Sequence, residues 1–122
     1  MAVNPAALLD SVPKGLLIAG QWRDSSDGTT LPVDNPANGE VLAHVASATP
    51  ADGMAALDAA VAAQATWAKV PPRDRGELLR AAYEKIVART EEFALLMTME
   101  MGKPLAEARG EVAYGAEFFR WF

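Results

Sequence analysis

The 122-residue chain contains no cysteine and a single histidine. The first absence excludes disulfides, thiolate metal sites and cysteine nucleophiles within these residues. The second leaves His44 as the one imidazole, in a strand-like stretch among apolar neighbours. No general-base partner for it stands out, so a structural or surface role is expected. Neither an H-E-x-x-H helix nor an Asp-rich calcium loop occurs. Nor does a G-x-G-x-x-G or a P-loop. No apolar run approaches the ~18 residues that a membrane-spanning helix needs. Positive charge is also scarce. Eleven Lys and Arg stand against 16 Asp and Glu, a net charge of −5. Nucleic acid and anionic membrane are therefore not expected partners, because their binding rests on basic surface. The opening MAVNPAALLDSVPKG has neither a basic n-region nor a long apolar core. A secretory leader is not expected, and the cytoplasm is the default address.

What is present is globular in balance, with 51% hydrophobic and 22% charged residues. A chain of this length forms one domain with an ordinary core. Residues 1–14 read as a loose arm with one helical turn at Pro5–Leu9. Residues 15–47 read as β. GLLIAGQWR is a candidate first strand. The DSSDG cluster is a hairpin signal. TTLPVDNP is a second strand, held to an edge by Pro32. NPANG is a turn in which Asn38-Gly39 suits positive φ. EVLAHVAS is the third strand.

From Thr49 the period becomes helical. Thr49 is a candidate N-cap, Pro50 a first helical residue and Asp52 an acid in the first turn. This helix is predicted to run to about Lys69, with Leu57, Val61, Gln64/Ala65 and Ala68 on one stripe. The VPP at 70–72 stops it. Two further helices are predicted at about 73–89 and 91–101, with Thr90 as the N-cap of the second. Gly102 suits a helix C′ position and Pro104 the first turn of the next helix. That last helix carries Leu105, Ala108, Val112, Gly115/Ala116, Phe119 and Phe122 at helical spacing. The expectation is an α+β chain: a three-stranded meander, then four helices.

Few residues then suggest chemistry. Ser11, Ser25, Ser26 and Ser47 lie in turns or at strand ends with no nucleophile elbow. Glu107 and Glu111 share a helix face as an acid/base pair would, but solvated charges or ion pairs with Lys103 or Arg109 are the commoner outcome. The aromatics at 118–122 surround their helix and suit packing or an interface. From these features alone the chain is acidic and α+β with no self-sufficient active site.

Three stretches carry a resemblance. DNPANGEVLAHV at 34–45, PRDRGELL at 72–79 and MEMGKPLAEARGEV at 99–112 resemble the N-terminal part of aldehyde dehydrogenases. Trp67, Arg73 or Arg75, Leu78, Glu100, Gly102, Lys103, Pro104, Glu107 and Ala108 supply the match, which spans about residues 15–122. Gly110-Glu111-Val112, Tyr114 and the closing Trp-Phe are most similar to the succinate-semialdehyde subgroup. The resemblance implies an α/β, Rossmann-like parent about four times longer. That parent would use NAD or NADP and work as a homo-oligomer on a small aldehyde. A cysteine thiolate would attack the aldehyde, hydride would pass to the nicotinamide, and a glutamate-activated water would release the acid. Those catalytic and cofactor residues fall outside the matched stretch. Residues 15–122 are thus expected to be a truncated N-terminal part of the cofactor-binding domain, inactive alone, with the remainder of the enzyme chain as its partner. The resemblance also implies a monovalent cation near Glu100 and a backbone carbonyl at Val33 or Asp34. It further implies a substrate-tunnel wall at Gly110 and Tyr114. Lys103 is expected at a helix corner, with no Schiff-base role. The alternative is a free-standing, non-catalytic helical interaction module. It differs in one respect: such a module would carry polar residues where a fragment leaves apolar faces bare.

Overall fold

The computed structural model describes residues 3–122. In chain order the elements are α1 (Pro5–Ser11), β1 (Leu16–Ile18), β2 (Gln21–Arg23), β3 (Thr30–Asp34), β4 (Val41–Ala46), α2 (Pro50–Trp67), α3 (Pro72–Ala88), α4 (Thr90–Met101) and α5 (Leu105–Trp121). None of the described helices is long and apolar enough to cross a membrane.

The α+β mixture is as expected, but the meander is corrected. Residues 16–23 form a hairpin, with Leu16 opposite Arg23 and Ile18 opposite Gln21. The turn is Ala19-Gly20, both at positive φ (52° and 76°), the two-residue geometry that matches strand twist. Alanine rarely adopts that conformation, so the sequence carried no turn signal there. β3 and β4 form a second antiparallel pair, with a register shift at Val33/Asp34. The four strands thus make two separate two-stranded sheets. Pro32 sits in such a pair, where every strand is an edge. The expected single turn at Pro5–Leu9 is a full α1. Asn4 caps it by accepting from Ala7 N–H at 3.1 Å, and Leu8 is buried.

The strand half and α2 meet at one carboxylate. Asp52 is 2% exposed. Its Oδ1 accepts from Arg23 Nη2 at 3.1 Å. Its Oδ2 accepts from Ser26 N–H and Thr49 N–H, both at 3.0 Å, and from the Thr49 hydroxyl at 2.9 Å. Asp52 N–H donates back to Thr49 Oγ1 at 3.2 Å, which completes a capping box. The backbone donors of Ser26 and then Thr49 hold the Asp52 carboxyl well below the usual carboxylate range. Asp52 is the only buried residue of α2.

The helical core is narrow. Ala94, Ala108 and Val112 pack together, flanked by Ile86, Phe93, Met97 and Leu105. Ala94 and Ala108 expose nothing, so α4 and α5 approach at the distance their methyl groups allow. The α3–α4 joint is tighter than expected. Arg89 ends α3 and begins α4 with φ −110°. Thr90 is corrected from an N-cap: its hydroxyl donates to Val87 O at 2.7 Å, closing α3. The α4–α5 corner is as read at Gly102, while Pro104 is the N-cap of α5, one residue ahead of its first turn. Gly102 ends α4 with φ 73°.

The seam should resist enlargement. Ala94→Leu is expected to lower stability by about 1–3 kcal/mol through overpacking. Ala60→Leu, on the open face of α2, should stay within about 0.5 kcal/mol. Urea unfolding monitored by circular dichroism separates the two. Asp52 also gives a pH signature. Its folded pKa is depressed, so its contribution is present above the unfolded carboxylate range and fades as pH falls through it, below about pH 5. Asp52→Asn should be less stable at neutral pH and show a flatter acid limb.

Candidate functional site

The expected site residues fall into two places. One is a cleft of about 40 Å³ between α1, β3–β4 and α4, lined by Leu9, Lys14, Val33, Leu96 and Glu100 among others. Val33 and Glu100 therefore do come together. Asp34 does not line the cleft. It lies exposed at the register shift, opposite Val41. Lys14 was not anticipated. Its ammonium donates to Leu9 O, and Lys14 and Glu100 both line the cleft. No group of three or more His, Cys, Asp or Glu side chains gathers among the described residues.

The second place is the outer face of α5. Ala108, Val112 and Ala116 point inward at four-residue spacing. Gly110 and Tyr114 fall on the other side. Gly110 has open space where a Cβ would stand, and Tyr114 is 66% exposed. The Tyr114 ring meets Phe118 edge-on, with centroids 5.1 Å apart at 89°. Tyr114, Phe118, Trp121 and Phe122 line an apolar groove of about 310 Å³. Trp121 is 84% exposed. A similar bare stripe runs along α2, where Leu57, Val61 and Trp67 edge a groove of about 500 Å³. Neither groove offers a cluster of basic side chains for a pyrophosphate, so no cofactor step is assigned to them.

Charged groups near α5 are committed elsewhere. Lys103 Nζ pairs with Glu111 Oε1 at 2.5 Å, tying the corner to α5. Arg109 grips Glu91 at 2.7 and 2.8 Å, a bidentate clip from α5 to the start of α4. The Arg109 hydrogen bonds, above all, lower the Glu91 pKa. With Glu111 paired to Lys103, the Glu107/Glu111 acid/base arrangement is not assembled. His44 lies exposed on β4, opposite Pro32.

The surface area shows what these faces amount to. A folded chain of this mass exposes about 6,300 Å². This one exposes 8603 Å², an excess of roughly 2,300 Å². That excess is the scale of an obligate interface.

Comparison with known proteins agrees with the motifs. The profile of the aldehyde dehydrogenase family matches residues 22–122. A succinate-semialdehyde dehydrogenase of Paenarthrobacter nicotinovorans is 67% identical over 82 residues, covering 67% of this chain and 18% of that protein. An aldehyde dehydrogenase structure from Brucella melitensis biovar abortus 2308 superposes with a TM-score of 0.90 at 42% identity, covering 98% of this chain and 24% of the other. Betaine aldehyde dehydrogenase of Staphylococcus aureus, in complex with NAD+, gives a TM-score of 0.93 at 30% identity, over 97% of this chain and 24% of that one. The chain thus spans a quarter or less of the relatives it matches.

The bare faces have a measurable consequence. The isolated chain should either stay monomeric, bind a hydrophobic dye and leave Trp121 fluorescence open to acrylamide in a Trp22→Phe, Trp67→Phe background, or self-associate with Trp121 shielded. A monomeric, dye-silent chain with a shielded Trp121 would show that these grooves are closed in solution.

Proposed function

The chain belongs to the aldehyde dehydrogenase family, and from this premise we propose that it supplies the N-terminal part of an NAD(P)-dependent semialdehyde dehydrogenase. The substrate we favour is succinate semialdehyde, oxidised to the acid. The observation that carries this is the 67% identity to a succinate-semialdehyde dehydrogenase. The bare α2 and α5 faces support it, because their apolar area suits burial against the rest of such an enzyme. They count equally against a free-standing module, which would carry polar residues there.

In this reading the chain brings scaffold and shape. It holds no cysteine, so the thiolate comes from elsewhere in the enzyme, as does the cradle for NAD or NADP. That cofactor would accept hydride once bound. The residues here position what surrounds it. α5 is held on its inner side by the alanine seam and by the Arg109–Glu91 clip. Its outer side presents Gly110, with no side chain to obstruct, and Tyr114, with an aromatic wall, toward the aldehyde's path. Residues 15–122 then form the opening portion of the cofactor-binding domain, in a cytoplasmic homo-oligomer.

A chimera tests the proposal. This chain is joined in place of the corresponding N-terminal segment of the Paenarthrobacter nicotinovorans enzyme. Reduction of NAD+ or NADP+ is then followed with succinate semialdehyde. The chimera should turn over and the 122-residue chain alone should not. A folded but inert chimera, or turnover by the chain alone, removes the reading. Within an active chimera, Tyr114→Ala is expected to raise KM about five- to tenfold, with a smaller effect on kcat.

A further inference from the structure

The chain has three asparagines, Asn4, Asn35 and Asn38. Asn4 and Asn35 each precede proline, whose ring nitrogen has no proton to lose and cannot attack the neighbouring side-chain amide. Asn38 precedes Gly39. A glycine nitrogen carries no Cβ beside it and is the least hindered backbone nucleophile. Both residues are exposed, at the tip of the β3–β4 connection.

We propose that Asn38 is a self-modification site, deamidating through ring closure by Gly39, and that the hydrogen bonds of its turn set the rate. The chemistry needs only water. The Gly39 N–H gives its proton to solvent base as the nitrogen bonds to Asn38 Cγ. The Cγ–Nδ2 bond breaks, and the nitrogen leaves as ammonia after taking a proton from solvent. Water then opens the cyclic imide at either carbonyl, leaving aspartate or isoaspartate. No electrons are exchanged.

Each group that must move is held by the native turn. Gly39 N–H donates to Asn35 O at 2.7 Å. Asn38 Oδ1 accepts from Glu40 N–H at 3.0 Å, and Asn38 Nδ2 donates to Glu40 Oε2 at 2.8 Å. The Glu40 side chain is therefore the latch. It is exposed, so it opens at small cost. Closure on Gly39 removes the Nδ2 donor. Ring opening then leaves a carboxylate facing the Glu40 carboxylate, so the latch cannot re-form and like charges meet. The effect reaches beyond the turn, because Pro36 in the same loop lies against the α4–α5 corner. A Cβ built on Gly102 would meet Pro36 Cγ at 3.3 Å.

The Asp-Gly pairs at 27–28 and 52–53 do not share this readiness. Their ring closure expels hydroxide and needs the protonated acid. Asp27 is kept ionised by the backbone donor of Thr29, and Asp52 by that of Ser26.

The test is prolonged incubation of the 122-residue chain near neutral pH, followed by peptide mapping for the amide-to-acid mass gain and for isoaspartate. Wild type, Glu40→Ala and Asn38→Gln are compared, each folded and in denaturant. Asn38 alone should convert, giving both products. Glu40→Ala should convert about fivefold faster when folded and at the wild-type rate in denaturant. Asn38→Gln should stay intact, because its ring closes far more slowly. Asn38 remaining an amide in the folded chain while converting in denaturant overturns the site. An unchanged folded rate in Glu40→Ala overturns the latch. Equal conversion at Asn4 or Asn35 overturns the ring-closure route.

Discussion

Two methyl groups decide how the helical half is built. Ala94 and Ala108 are both fully enclosed, and neither could grow without forcing α4 and α5 apart. Small residues at such a seam allow close backbone approach. They also bury little apolar area each, so the seam fixes geometry more than it supplies stability. The rest follows from that geometry. A sharp reversal is needed between α4 and α5, and Gly102 at φ 73° provides it. The Arg109–Glu91 pair then links α5 to α4, and Lys103–Glu111 ties the corner to α5. Ion pairs open to solvent are individually weak, but Arg109–Glu91 holds the first turns of α5 against α4.

The other half depends on a polar anchor. α2 reaches the strands through Asp52, and its apolar stripe of Leu57, Val61 and Trp67 stays largely open. A helix held by its first turn and bare along its length has an unusual balance: the anchor sets direction, and nothing described here covers the side. The same holds for α5, whose inner face is closed and whose outer face carries Tyr114, Phe118 and Trp121. An apolar stripe of this kind is normally buried against another layer. Two such stripes, with an exposed area well above the norm for the mass, have a common explanation in a second layer.

Much of this was legible from local chemistry. Thr49-Pro50-x-Asp52 announced a helix start, Gly102-Lys103-Pro104 its corner, and Asn35–Gly39 its turn, because each needs only neighbours in sequence. Failures came where the deciding partner was distant or the residue atypical. Ala19 takes a conformation that alanine disfavours, so one hairpin read as one strand. Thr90 looked like a cap for the helix after it and serves the helix before it. Arg23 and Asp52 lie 29 residues apart, and no local pattern joins them. Periodicity placed Leu57 and Val61 on one stripe of α2, but periodicity gives a face and never its partner.

The candidate site was legible to a different degree. Val33 and Glu100 were paired by resemblance, and the fold does bring them to one cleft. Lys14 was invisible to that reasoning, because it follows a segment expected to be loose. Once Pro5–Ser11 is a helix, Lys14 can reach back to the Leu9 carbonyl near its end, and the residue joins Glu100 in lining the cleft. The consequence bears on any cation in that cleft. An entering ion would share the cleft with a lysine whose ammonium also bonds the Leu9 carbonyl, alongside the Val12 N–H. Local capping chemistry and site electrostatics are therefore coupled here through one side chain, and a change at Lys14 would act on both.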